Sequence, residues 1–337
     1  MAKPKLPTTT QTIIVGSGSA LFEPENDLGE LEGGERYFGS TPGISFNVSS
    51  ETLEVPDDDT PFEETLVEII TKLVRAGNLS CKNVSLENQA MFFLGQSGTH
   101  SQAAGSVTNE DKAVVRPGSY IQLGASSSNP GGVRGVSAVT VQSLEGATAS
   151  AWSAADATIV AGSVRVPNPA NAHWYMALDA GTTGGSAPTW PTDGSSVNDN
   201  GITWQDMGLI DYVVATHYEL DADLGRVYLT LDGAFATAWA IADAINVKIG
   251  IRSGYTKAAN SRDHMQTGGV KSVTGALRVI ADNTTGPNQD YYCPKVTLVP
   301  TGDFALKSRT DPQAMEWEVK IGKRDGYEQL YIDGRAA

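Results

Sequence analysis

A short amphipathic segment around residue 90 is the feature that most constrains the fold. Leu86 and Phe93 fall on one side of a helix, and Ser85 stands where its hydroxyl can cap the first turn. Asn88 occupies the position where a capping box prefers Glu or Gln, and Gly95 is expected to end the helix in the left-handed conformation. A helix of about three turns is not stable alone, so it must dock on another element.

The residues around this segment favour strands and turns. The 337-residue chain contains 36 Gly and 16 Pro, with abundant Ser, Thr and Val. We therefore predict a mainly β fold, an antiparallel β-sandwich with the short helix against its side. The N-terminus lacks the apolar core of a signal peptide, and no apolar run approaches the length of a membrane span. We expect a protein made in the cytosol, without a membrane partner.

The charge and the reactive residues argue against several classes of function. A net charge of -15 disfavours gripping nucleic acid by counterion release. The two cysteines give neither a disulfide framework nor zinc spacing, and Cys81 is expected to be inert. The four histidines are scattered, and neither a nucleophile elbow nor a phosphate loop is present. We predict no enzymatic activity, no catalytic residue, no metal site and no cofactor.

Two segments resemble one protein family. Residues 83–95 (NVSLENQAMFFLG) are similar to the N-I-S-x-E-N-L-A-L-F-F-L-G segment of major tail tube proteins of long-tailed bacteriophages. Residues 275–283 (GALRVIADN), 286–292 (GPNQDYY) and 294–296 (PKV) resemble the run G-A-L-R-F-I-A-D-N…G-x-N-x-D-Y-Y-x-P-x-V of the same family. The two segments stand in the family's order. The resemblance covers roughly residues 10–140 and 210–334.

The stretch before the helix fits two structures. In residues 63–77, Leu66, Ile69 and Leu73 follow a helical stripe, with Gly77 as a stop. The same stretch is rich in β-branched residues, which favour a strand. In the tail tube family this segment would be a long strand leading into the helix, so we predict a strand.

The resemblance implies a structural role in a virion. Copies would join head-to-tail into closed rings, usually sixfold, and the rings would stack into a tail tube. Genomic DNA would pass through the acidic lumen without specific binding, since like charges repel near the wall. Other tail proteins, namely the tape measure, terminator and distal tail proteins, would be its partners in the phage tail.

A Trp-rich segment interrupts the resemblance. The composition changes at about residue 146, so we predict a tail-tube domain in two parts, 1–147 and 209–337, with an inserted β module at 148–208. This module resembles one found in many phage structural proteins and is similar to carbohydrate-binding modules. Its candidate glycan contacts are Trp174, Tyr175, Trp190 and Trp204, because aromatic faces can stack on sugar rings. The alternative is that these aromatic residues form the core of a small domain.

Two groups of charged residues are candidates for contacts between subunits. The acidic loops at 23–35 and 51–64, the second including Asp57, Asp58 and Asp59, are candidates for ring stacking. A mobile loop around 254–269, with Arg252, Lys257 and Arg262, fits either a solvated loop or an inter-subunit contact.

Several shorter elements are also predicted. We expect a hairpin turn at 221–225, a helical turn within 234–244, and half-buried strands at 245–251 and 315–321.

Two other functions fit the sequence. One is a glycan-binding adhesin or decoration protein of a phage. The other is an accessory subunit of the tail or capsid that forms a single ring.

Overall fold

A computed structural model describes residues 14–31, 33–57 and 64–334 of the chain. It contains two compact units, one formed by Met1–Thr99 with Asp263–Ala337 and the other by His100–Arg262. We call them unit 1 and unit 2. The chain crosses between them in two strands, β5 (Gly95–Gln102) and β18 (Asn260–Thr267), which pair with each other as a two-stranded ribbon.

Unit 1 is built on one large sheet. Its elements are β1 (Gly18–Pro24), β2 (Arg36–Tyr37), β3 (Gly43–Asp57), β4 (Glu64–Cys81), α1 (Leu86–Phe92), β19 (Val273–Ala281), β20 (Gln289–Thr301), β21 (Met315–Ile321) and β22 (Tyr331–Gly334). The strand order is β2-β1-β19-β20-β21-β4-β3, and β22 also pairs with β20. All of these pairs are antiparallel.

The helix α1 docks on this sheet through both apolar and polar contacts. The Phe92 ring stands edge-on to Trp317 of β21, with the ring centroids 5.8 Å apart. As the sequence predicts, the Ser85 hydroxyl accepts a hydrogen bond from the Asn88 N–H at 3.2 Å. The Asn88 side chain is fully buried and accepts from Arg36 Nη2 at 2.7 Å. Its Nδ2 donates to the carbonyl oxygen of Phe38 at 2.9 Å, so one amide ties α1 to the residue that follows β2.

Unit 2 contains three smaller sheets and two helices. Its elements are β6 (Gly105–Lys112), β7 (Tyr120–Gln122), β8 (Val136–Ser143), α2 (Leu144–Thr148), β9 (Ser150–Ala151), β10 (Val164–Val166), β11 (His173–Ala177), β12 (Ser196–Asp199), β13 (Ile202–Leu209), β14 (Asp211–Tyr212), β15 (Tyr218–Asp221), β16 (Arg226–Leu229), α3 (Ala234–Ala244) and β17 (Ile251–Lys257). The sheet orders are β12-β13-β11-β10-β9, β14-β8-β17-β6 and β15-β16-β7.

The strand β11 shows how unit 2 builds its cores. Because successive side chains point to opposite faces of a sheet, Trp174 and Met176 enter the larger core of the unit. Tyr175 and Ala177 enter a smaller core on the other face, together with Trp204. Because β11 is buried on both faces, its sequence is a continuous apolar run and does not alternate between apolar and polar residues.

The predicted fold class is confirmed, since the protein is mainly β with antiparallel sheets and a short helix on unit 1. The pair β9–β10 is parallel. The strand prediction for 63–77 is confirmed by β4 from Glu64 onward, and the helical alternative is wrong. The predicted hairpin at 221–225 is confirmed by the antiparallel pair β15–β16, and the strand at 315–321 by β21.

Three local predictions are wrong. Residues 245–250 are not a strand, because α3 ends at Ala244 and β17 begins only at Ile251; their alternating apolar side chains pack on the core from an irregular segment. The stretch 254–269 is not a loop, since most of it lies in β17 and β18.

Gly95 does not take the left-handed conformation at the helix end, because Leu94 does so with a φ of 50°. Gly95 instead allows close packing, since a Cβ there would lie 2.8 Å from the Gln266 carbonyl oxygen.

The compact units have different bounds from the predicted domains. Their boundaries lie at 99/100 and 262/263 rather than at 147/148 and 208/209. The predicted module 148–208 supplies nearly all of the sheet β9–β13, which lies within unit 2. Whether 148–208 is an independent insertion stays a prediction.

Candidate functional site

The hairpin formed by β3 and β4 extends beyond the rest of its sheet. The neighbouring strand β21 pairs with β4 only over residues 76–81, whereas β3 and β4 pair with each other from 43–57 to 64–81. Residues 48–57 and 64–75 therefore form a two-stranded ribbon, which we call the arm. An isolated two-stranded hairpin is marginally stable in water at best.

One face of the arm carries four aliphatic side chains. Leu53 lies directly opposite Ile69, and Val55 lies directly opposite Val67. Directly paired residues share a face, and so do residues two apart on one strand, so the four form one cluster, which we call the aliphatic quartet. These side chains are between 37% and 53% exposed.

The opposite face of the arm is also apolar. Val48 and Ile70 are each 63% exposed, and Leu73 is 44% exposed. The register places these residues on the face that the quartet does not occupy. An arm with large aliphatic side chains exposed on both faces is typical of a segment that becomes buried in an assembly.

Charged pairs lie among these apolar residues. Glu51 is opposite Lys72, and the Lys72 Nζ lies 2.7 Å from the Glu51 Oε1. Glu54 is opposite Glu68, so two carboxylates face each other across the arm. Like charges in directly opposite positions destabilise a strand pair, and a cation from a neighbouring molecule would relieve the repulsion.

The predicted acidic loop is largely strand. Within 51–64, residues 51–57 belong to β3, and Asp57 is its last residue. Asp58 and Asp59 lie outside the described residues. The quartet was not predicted, although the alternation of Leu53 and Val55 with Glu54 indicates a strand with one apolar face.

The three basic candidates lie on the strands β17 and β18. Arg252 forms a bidentate pair with Asp111, at 2.7 and 2.9 Å, and this hydrogen bonding lowers the pKa of the Asp111 carboxyl. Arg262 Nη2 donates to Asn129 Oδ1 at 2.7 Å. Lys257 is the half-buried last residue of β17. Arg252 and Arg262 thus bind within the chain, and an inter-subunit role for the three residues stays a prediction.

The aromatic candidates for glycan contact are mostly interior. Trp174, Tyr175 and Trp204 are completely buried, and Trp190 is half-buried. The Trp190 ring packs against Tyr175 and Trp204, with centroids 4.5 and 5.9 Å away. A sugar ring needs an open aromatic face, so this burial favours the alternative role of these residues as core.

The three indole nitrogens of these tryptophans are buried as well. Each Nε1 is inaccessible and has no hydrogen-bond partner among the described residues. In contrast, the indole nitrogen of the buried Trp152 has a partner, since its Nε1 donates to Asp199 at 2.9 Å. The structure therefore packs Tyr175, Trp190 and Trp204 together in the smaller core and places Trp174 in the larger core on the other face of β11, so the four candidates do not form one aromatic surface.

The chain matches no protein-family model, and no curated protein matches it significantly. In the described ranges, no helix is both long enough and apolar enough to cross a membrane. The same part of the chain holds no group of three or more His, Cys, Asp or Glu residues that could bind a metal ion.

Proposed function

We propose that the protein is a structural subunit that assembles with copies of itself into stacked rings, and that these rings form the tail tube of a long-tailed bacteriophage. The arm is the observation that carries this proposal. The quartet alone would contribute about 3–6 kcal/mol if its exposed half were buried against a neighbour.

The distribution of the resembling segments supports the same proposal. Residues 83–95 include α1, and residues 275–296 include most of β19 and the first part of β20. These elements share one core, in which Phe92, Leu277 and Val296 are all buried. The two sequence segments that resemble tail tube proteins therefore belong to one structural unit, although residues 96–274 separate them in the chain.

The sheet edges and the charge fit a ring as well. The large sheet of unit 1 ends at β3 on one side and at β2 on the other. Unpaired strand edges invite pairing with another chain, and closure into a ring uses them. A net charge of -15 suits a tube through which DNA passes without adhering.

The test is electron microscopy of the purified full-length chain, alone and with substitutions in the arm. We expect long tubes of even bore from the natural sequence. We expect the double variant Leu53→Asp/Ile69→Asp to remain folded by circular dichroism and to stay unassembled, because two charges would enter the buried interface. Val160→Asp, at a 60% exposed aliphatic position in unit 2, serves as the matched control and should still form tubes.

Two outcomes would contradict the proposal. Lone rings from the natural sequence would instead favour an accessory subunit of the tail or capsid. Tubes that form equally well with the charged quartet would show that the arm is not the interface.

A further inference from the structure

The small sheet β15-β16-β7 presents a solvent face of unusual composition. The register places Tyr228 opposite both Glu219 and Tyr120, in one row across the three strands. A second row, two residues along, consists of Asp221, Arg226 and Gln122. We call these six residues the sheet face. The alternate positions, which include Ile121, Val227 and Leu229, are buried in the core of unit 2.

Two tyrosines form the apolar part of the sheet face. Tyr120 is 71% exposed, and its ring centroid lies 4.7 Å from that of the half-buried Tyr228, with 34° between the ring planes. Tyr228 supports one side of Tyr120, so the ring is held in place while most of it stays in water. A supported, exposed aromatic ring is suited to stack on a flat partner.

Planar polar groups surround the two rings. Arg226 Nε donates to Gln122 Oε1 at 3.0 Å, and Gln122 Nε2 donates to the Leu224 carbonyl oxygen at 2.8 Å. These bonds fix the orientation of the Arg226 guanidinium. In the described part of the chain, Arg226 donates only through Nε, so its Nη groups are available to a ligand. The carboxylate of Glu219 is exposed beside Tyr228.

We propose that the sheet face binds a neutral polysaccharide, with Tyr120 stacking on a sugar ring and Arg226 and Glu219 hydrogen-bonding to its hydroxyl groups. Aromatic side chains bury one apolar face while polar groups beside them stay hydrated, which matches the two-sided character of a sugar ring. A guanidinium can donate two hydrogen bonds side by side, and a carboxylate can accept two. Each group can therefore bind two adjacent hydroxyl groups of a sugar.

The composition of the sheet face argues against other ligands. None of its six paired positions holds an aliphatic side chain, whereas protein interfaces have apolar centres. The six residues of the sheet face carry two carboxylates and one guanidinium, so the face itself has no excess of positive charge for a phosphate-rich polymer. The site lies outside residues 148–208, and none of its six residues belongs to the arm or to the candidate tryptophans.

The experiment measures binding of the full-length chain to immobilised neutral hexasaccharides of glucose, mannose, galactose and N-acetylglucosamine. We expect binding to at least one of these probes. Tyr120→Ala should weaken it about tenfold, which corresponds to about 1.4 kcal/mol, while Tyr120→Phe should retain it, since Phe keeps the flat aromatic ring. Tyr120→Leu should bind as weakly as Tyr120→Ala, because it keeps apolar volume but lacks a flat ring.

Matched variants separate binding from folding. Tyr37→Ala removes a 56% exposed tyrosine of unit 1, and this variant should bind the hexasaccharide as well as the natural chain does. Arg226→Gln should weaken binding without changing the melting temperature by more than a few degrees. The proposal is overturned if the natural chain binds none of the probes, or if Tyr120→Ala or Tyr120→Leu binds as well as the natural chain.

Discussion

Glu54 lies directly opposite Glu68 in the arm, in a register that also places Glu51 opposite Lys72. The two carboxylates face each other in a two-stranded ribbon, and among the described residues no third strand pairs with this part of β3 or β4. The arm of a single molecule therefore combines exposed aliphatic side chains with an unfavourable charge pair. A second molecule that covered the arm would bury the aliphatic side chains, and a cation on that molecule would relieve the repulsion between the carboxylates.

The first prediction concerns this charge pair. Glu68→Lys should stabilise the arm of the unassembled chain by about 0.2–1 kcal/mol, because an opposite-charge pair replaces a like-charge pair. Slower hydrogen exchange of the backbone amides of residues 48–57 would show the effect. Lys72→Glu is the reverse variant and should speed exchange, since it creates a second like-charge pair opposite Glu51. Equal exchange in both variants would contradict this register.

The second prediction concerns Asn88, which bridges α1 and the end of β2. Asn88→Ala should lower the free energy of unfolding of unit 1 by about 1–3 kcal/mol, because it removes the hydrogen bonds of a buried amide to Arg36 and to the carbonyl oxygens of Phe38 and Asn83. Urea denaturation would measure the loss. Gln89→Ala, one residue along the same helix, is the control and should change the stability by no more than about 0.5 kcal/mol.

The third prediction concerns pH. Hydrogen bonds from the Thr158 hydroxyl and N–H, at 2.6 and 2.9 Å, together with Arg165, lower the pKa of Asp156 to about 2. A depressed folded-state pKa stabilises the fold above the unfolded-state pKa of about 3.9, and this contribution disappears as the pH falls through about 2.

An Asp156→Asn variant tests this effect directly. It should be less stable than the natural chain at pH 6, and the difference should shrink toward pH 2. Carboxyl titration of Asp156 by NMR should give the same low midpoint. A midpoint near 4 would show that these hydrogen bonds do not persist in solution.

The fourth prediction concerns the thiols. Burial raises the pKa of Cys293 to about 12, and burial also raises the pKa of Cys81. Both side chains are completely inaccessible. Neither should react with Ellman's reagent at pH 8 in the native chain, since the thiolate is the reactive form. Both should react in urea, and rapid reaction of the native chain would show that the core of unit 1 opens.

The fifth prediction concerns the buried tryptophans. Trp204→Ala should cost about 3–5 kcal/mol of stability, because it leaves a large cavity beside Tyr175 and Trp190. Thermal unfolding would measure this cost. A Trp204→Ala chain with unchanged stability would place this ring at the surface and restore it as a glycan contact.

The sequence by itself determined the elements whose signals lie within a few consecutive residues. Ser85 and the spacing of Leu86 and Phe93 specify α1, the turn residues at 221–225 specify a hairpin, and the alternation in 315–321 specifies β21. Caps, turns and side-chain periods act over one or two turns of chain, so a single sequence carries them in full.

The tertiary structure alone decided which side chains are buried and which strands stand opposite each other. The same aromatic residues can form either a hydrophobic core or an exposed surface that binds sugars. Only the packing on both faces of β11 shows that Trp174 and Trp204 are buried in the cores. Likewise, only the pairing of β3 with β4 placed Glu54 opposite Glu68 and gathered the quartet on one face. Register and burial depend on residues that are distant in the chain, so no local pattern specifies them.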